Sequence, residues 1–111
     1  MDIVFATRKL EKVFNQEKEL VREYGQRMAR TIMMRMGVLK GARNLTQVPT
    51  TRPPRRHQLS QDRDEQFAVD LDHPYRLVFK PDHDPIPRKT DGGIDIDSVT
   101  AIEILGVIDY H

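Results

Sequence analysis

At 111 residues, with 38% hydrophobic and 32% charged side chains, the chain is predicted to form one soluble globular domain, residues 1–111, rather than a disordered segment. Cysteine is absent, which excludes disulfides and thiolate chemistry and leaves only His and carboxylates as candidate metal ligands. The net charge of +1 hides a division: thirteen Lys/Arg stand against five Asp/Glu through His57, and five against twelve from Gln58 onward.

In chain order, Ile3-Val4-Phe5 is predicted as a short edge strand. Thr7 suits the N-cap of a short helix through about Phe14, with Leu10, Val13 and Phe14 on one face. Asn15 is the next candidate N-cap, followed by Glu17 and Glu19, where the helix dipole favours acid. The second helix carries Leu20, Tyr24, Met28, Ile32 and Met36 at intervals of four, widened by Val21, Ala29 and Leu39, and ends at Gly37 or Gly41. Its methionines, Met28, Met33, Met34 and Met36, read as core filler or as a docking face. Asn44 and Gln47 could close one helical turn as a capping box, after which Pro49, Pro53 and Pro54 stop regular structure.

A strand is predicted over 55–59, a polar turn over 62–65, and an alternating strand over 66–71 with Phe67, Val69 and Leu71 on one face. Asp72-His73-Pro74 is a turn and 75–80 a further strand. Residues 81–98 form a long loop holding three prolines and Gly92-Gly93. Val99 to His111 is rich in β-branched residues and apolar at both alternate sets of positions. Ile102, Ile104 and Ile108 point one way, and Val99, Ala101, Leu105 and Val107 the other. That pattern predicts a strand in mid-sheet, buried on both faces. The expected fold class is α+β, an N-terminal strand and two helices packed on one face of a mainly antiparallel sheet.

The basic first half raises the expectation of a polyanionic partner, against the plainer reading of Arg22 to Arg35 as a solvated helix face. Arg52, Arg55 and Arg56 crowd a Pro-rich loop beside His57. Arg76 is the one charge in the apolar run Tyr75 to Phe79, a placement that is unfavourable unless the charge is used. His57 and His111 adjoin strands, whereas His73 and His83 fall in turns. Cleavage of RNA through its 2′-hydroxyl needs a base, an acid and cations for the developing charge. His57, Arg76, Tyr110, His111 and Arg55/Arg56 include those types. The aspartates of the loop, with His83, do not match an EF-hand. No nucleotide-binding loop, dinucleotide fingerprint or HExxH is present, so no cofactor and no metal are expected. No apolar run approaches the ~18–20 residues of a membrane span and no signal-peptide core is seen, so a cytoplasmic location is expected.

The segments Arg56 to Arg63, Phe67-Ala68-Val69, His73 to Phe79 and Ile108 to His111 together resemble the HigB-like "killer" toxins of the RelE superfamily. The resemblance covers about half the chain closely, and the Asp109-Tyr110-His111 ending is its most specific part. It implies a RelE-like fold and a toxin of a type II toxin-antitoxin system, a ribosome-dependent, metal-free mRNA endonuclease that inhibits translation. The implied partners are a cognate HigA-like helix-turn-helix antitoxin, the ribosome and mRNA, with operator DNA reached only through the antitoxin. By motif position, His57, Arg76, Asp109, Tyr110 and His111 would be catalytic, and Arg52, Arg55, Arg56 and Arg63 would bind RNA. One departure is Ser60, where many relatives carry lysine. Its loss favours the alternative, a catalytically weak binding module of the same fold that holds antitoxin or RNA. An enzyme acting on small molecules is a third reading.

Overall fold

The computed structural model describes residues 1–109. Its elements are β1 (Asp2–Phe5), α1 (Arg8–Phe14), α2 (Glu17–Tyr24), α3 (Gln26–Gly41), β2 (His57–Gln58), β3 (Phe67–Asp70), β4 (Tyr75–Pro81) and β5 (Ala101–Asp109). Short 3-10 turns lie at Leu45–Gln47, Gln61–Arg63 and Ile96–Ser98. The architecture is α+β, with three helices rather than the expected two and a five-stranded sheet of order β1-β5-β4-β3-β2. β1 runs parallel to β5 and every other pair is antiparallel.

The helices begin and end for local reasons. The Thr7 hydroxyl accepts a hydrogen bond from the Leu10 backbone N–H at 3.1 Å and so caps α1, as its sequence predicts. Asn15 does not start the next helix; it closes α1, its N–H donating to the Glu11 carbonyl at 3.0 Å. The apolar ladder from Leu20 to Met36 is not one helix either. Gly25, at φ 86° and ψ 161°, breaks it into α2 and α3. A ladder at intervals of four drifts about 40° per step around a 3.6-residue helix, so a continuous helix would carry its apolar stripe off the core. The break resets the stripe. On α3, Ala29, Ile32, Met36 and Leu39 are buried, while Met33, Met34 and Val38 stay exposed. Asn44 makes no side-chain cap bond, and Gln47 Oε1 accepts at 2.8 Å from the N–H of Arg43 rather than of Asn44, so the expected capping box does not form.

The core sits between the helices and one face of the sheet. Val13 and Phe14 of α1, Leu20 of α2 and the inner stripe of α3 pack with Phe67, Val69, Leu77, Phe79, Ile102 and Ile104. Ala68, Asp70, Arg76 and Val78 alternate with that set and so face away from it. The strand expected over 55–59 contracts to His57–Gln58, because the loop before it folds on itself: Arg56 N–H bonds the Pro49 carbonyl at 2.9 Å and Arg55 N–H the Thr51 carbonyl at 2.9 Å.

β5 lies inside the sheet, between β1 and β4, yet it is buried mainly on one face. Its register also differs from simple alternation. Phe79 pairs with Ile104 and Val78 with Gly106, which leaves Leu105 as an extra residue in a bulge, with Gly106 at φ 145°. The bulge turns Val107 toward the core and puts Ile108 on the face of Arg76, opposite to Ile102 and Ile104.

Candidate functional site

On the sheet face opposite the helices, the end of β3 meets the start of β4. Register places Asp70 opposite Arg76, and the Pro-rich loop crosses this corner, with Asp70 N–H donating to the Pro54 carbonyl at 2.7 Å. Asp70 is the hub of the corner. Arg55 reaches it with two parallel bonds, Nε to Oδ2 at 2.6 Å and Nη2 to Oδ1 at 2.9 Å. Arg76 Nε lies 3.7 Å from Oδ1. Arg35 projects from α3, is only 9% exposed, and donates from Nε to the Asp70 carbonyl oxygen at 2.6 Å. Burial pushes the Asp70 carboxyl up, but the Arg55 hydrogen bonds and the charges of Arg55, His57 and Arg76 outweigh it and hold the carboxyl below the usual carboxylate range. The bond to Asp70 in turn raises Arg55, against the opposing effect of its own burial. Arg55 itself stands at φ 47°, a left-handed conformation unfavourable for a side-chain-bearing residue; the paired bonds to Asp70 hold it there.

Over this hub opens a cleft of about 450 Å³. Arg35, Arg52, Arg55 and Arg76 line it against the single carboxylate of Asp70, with His73 at the turn. Its remaining wall is apolar or flat: Pro53, Leu71, Pro74 and the half-exposed Tyr75. Four arginines and one carboxylate in the lining leave an excess of fixed positive charge, and a guanidinium fork binds a carboxylate through two parallel bonds.

A second cavity, about 370 Å³, lies between His57 and Arg63 and shares Arg76 with the first. His57 Nδ1 is 2.9 Å from the Arg55 carbonyl oxygen, which can only accept, so Nδ1 carries the proton. His57 Nε2 is buried without a hydrogen-bond partner. Among the described residues no three His, Asp or Glu side chains converge to hold a metal ion.

The residues singled out from sequence are therefore partly brought together. Arg52, Arg55 and Arg76 line the arginine cleft, while His57, Arg63 and Arg76 line its neighbour. Arg56 belongs to neither: its Nε donates to the Val48 carbonyl at 2.9 Å, and burial lowers its pKa. Asp109 pairs in register with Tyr75 at the end of β5. Tyr110 and His111 lie outside the described residues. Sequence reading missed Arg35, Asp70 and Tyr75 as site residues. Arg35 carried a usable signal, since it sits four residues from both Thr31 and Leu39, on the buried side of α3.

A family model, XylR_N, described as activator of aromatic catabolism, matches residues 8–64. The match runs from α1 through the second 3-10 turn and takes in Arg35, Arg52, Arg55, Arg56 and His57. No curated protein and no solved structure matches the chain. This finding overturns the resemblance to HigB-like toxins of the RelE superfamily, and with it the reading of a toxin that cuts mRNA. The antitoxin, ribosome and mRNA expected as partners rested on that resemblance alone. Most of the segments that carried it, 67–69, 73–79 and 108–111, fall outside the matched residues, and their described part, through Asp109, lies on strands and turns of an antiparallel meander. Strand alternation and polar turns generate such short motifs in unrelated sheets. With the match extending over more than half of its length, the chain belongs to the XylR_N family, described as activator of aromatic catabolism.

Proposed function

We propose that this chain is a regulatory binding module whose arginine-lined cleft takes a small aromatic acid. The observation that carries the reading is a cleft lined by four arginines and a single carboxylate, beside the flat walls of Tyr75, Pro53 and Pro74. A carboxylate is the natural partner of the first feature, and a planar ring of the second. A volume of about 450 Å³ suits a single-ring compound, since small-molecule pockets run from ~300 to ~1,000 Å³. The family description, activator of aromatic catabolism, supports both halves of the proposal: a control role and an aromatic signal.

The hub supplies a way for occupancy to be felt. A ligand carboxylate competes with Asp70 for Arg55 and Arg76, and Asp70 also holds α3 through Arg35. Binding thus couples the Pro-rich loop, β4 and α3 through one residue. Such coupling requires that the ligand favour one arrangement of these bonds over the other.

Calorimetric titration of the purified chain with benzoate, 4-methylbenzoate, cyclohexanecarboxylate and benzyl alcohol tests the reading. The two benzoates bind, the saturated acid binds less well, and the neutral alcohol does not bind. Arg52→Ala, at an exposed position with no structural bond among the described residues, weakens benzoate about ten-fold, the equivalent of ~1.4 kcal/mol. Absence of any heat or thermal shift with millimolar benzoate would sink the proposal.

A further inference from the structure

Helix α3 has two apolar sides. Ala29, Ile32, Met36 and Leu39 form the inner stripe. Met33, Met34, Gly37, Val38 and Gly41 form an outer one, spaced i, i+1, i+4, i+5 and i+8, so that they share a face of the helix. Met33, Met34 and Val38 are 39%, 54% and 37% exposed. A Cβ built on Gly37 or Gly41 would meet nothing within 4 Å, so beside the methionines the surface falls to bare backbone. Only the inner stripe packs into the core, which leaves the outer one, apolar but flanked by charge, without a layer over it.

The charge on this face has one sign. Arg27, Arg30 and Lys40 are exposed on it, and α3 contains no Asp or Glu. Arg27 has a loose partner in Asp72 at 3.8 Å; Arg30 and Lys40 have no ion-pair partner among the described residues. We propose that the outer face of α3 docks an acidic amphipathic helix of another protein. Its apolar stripe lies over Gly37 and Gly41 between the methionines, and its flanking carboxylates meet Arg27, Arg30 and Lys40. Unbranched methionine adapts to such a partner, and an amphipathic helix seated in a groove is a recurring recognition mode. A second copy of this chain is disfavoured, because the same three cations would face one another. A membrane surface is disfavoured because the face offers no Trp, Phe or Leu to sink into the headgroup layer.

The test uses the full chain and two synthetic peptides of about 18 residues, long enough to be helical. Both carry Leu at i, i+3, i+4 and i+7; one is flanked by Glu, the other by Lys. The Glu peptide slows hydrogen exchange in residues 30–41 and binds at least ten-fold more tightly than the Lys peptide. Arg30→Glu reverses that order, and Met34→Asp abolishes both the protection and the binding while leaving the melting temperature unchanged. Equal binding of the two peptides, or no protection of α3 by the Glu peptide, overturns the proposal. So does a dimer in sedimentation that Met34→Asp dissolves, which assigns the face to a second copy. Tighter association with phosphatidylglycerol vesicles than with the Glu peptide overturns it in favour of a membrane.

Discussion

One carboxylate organises the cleft. Asp70 pairs with Arg55 through two bonds and, through its carbonyl, holds the buried Arg35. Asp70→Ala removes the carboxylate that Arg55 is paired with, though it keeps the carbonyl that Arg35 bonds, and is expected to lower stability by about 1–3 kcal/mol in urea unfolding. The pH dependence has a definite sign. Because the folded-state pKa of Asp70 lies below its unfolded value, protons bind the unfolded chain first as pH falls. Its stabilisation is therefore complete above the ordinary carboxylate range and disappears as pH drops through the lowered value. Asp70→Asn should show a shallower loss of stability on acidification, and the two proteins should converge at the lowest pH. Arg76 and Arg52, which line the cleft, were legible as candidates because their placement, in an apolar strand and a Pro-rich loop, is unusual for a solvated cation. Asp70 was not legible: alternation gave only its outward direction, and nothing in the sequence indicates that two arginines fifteen and thirty-five positions upstream converge on it. Arg56 misled for the opposite reason, since a neighbouring pair of arginines in one loop sends one to the cleft and the other to the Val48 carbonyl.

At the scale of elements, boundary residues decide most of what pattern reading gets right or wrong. The cap of α1 was visible in Thr7, and Thr7→Ala is expected to cost about 1 kcal/mol in thermal or urea unfolding. The boundary between α2 and α3 was hidden because a four-residue apolar ladder runs straight through it. What breaks the helix is the left-handed conformation of Gly25, where a Cβ would have open space and the obstacle is the backbone alone. Gly25→Ala is thus expected to destabilise by about 1–2 kcal/mol through conformation rather than packing. A circular-dichroism spectrum with unchanged helix content would accompany that loss; a rise in helicity would mean that α2 and α3 had fused. The bulge at Leu105 was likewise illegible, because an apolar residue on either side of it satisfies a period of two. Its effect on the site is direct, since it sets which residues of β5 share a face with Arg76.

For the whole molecule, the α+β class, the edge strand and the antiparallel run of β2 to β5 follow from the order of patterns along the sequence. The family did not. The division of charge between the halves is partly resolved by folding: Arg27 and Arg55 of the basic half meet Asp72 and Asp70 of the acidic half at one corner. The opposite end of the sheet carries the longest connection in the fold. β1, at residues 2–5, takes its place only against residues 101–104 of β5, while β4 and β3 line up on the other side of that strand. A chain truncated after Thr100 keeps every helix but lacks the strand joining β1 to the rest, and is expected to show no cooperative unfolding transition. During synthesis the same geometry sets an order of events. The helices emerge before β5 and have no completed sheet to cover until β5 has left the ribosome, so their apolar stripes stay open until then. Until that pairing forms, the nascent helices expose the kind of apolar surface that chaperones and proteases recognise, and the wide sequence separation of β1 and β5 slows its closure.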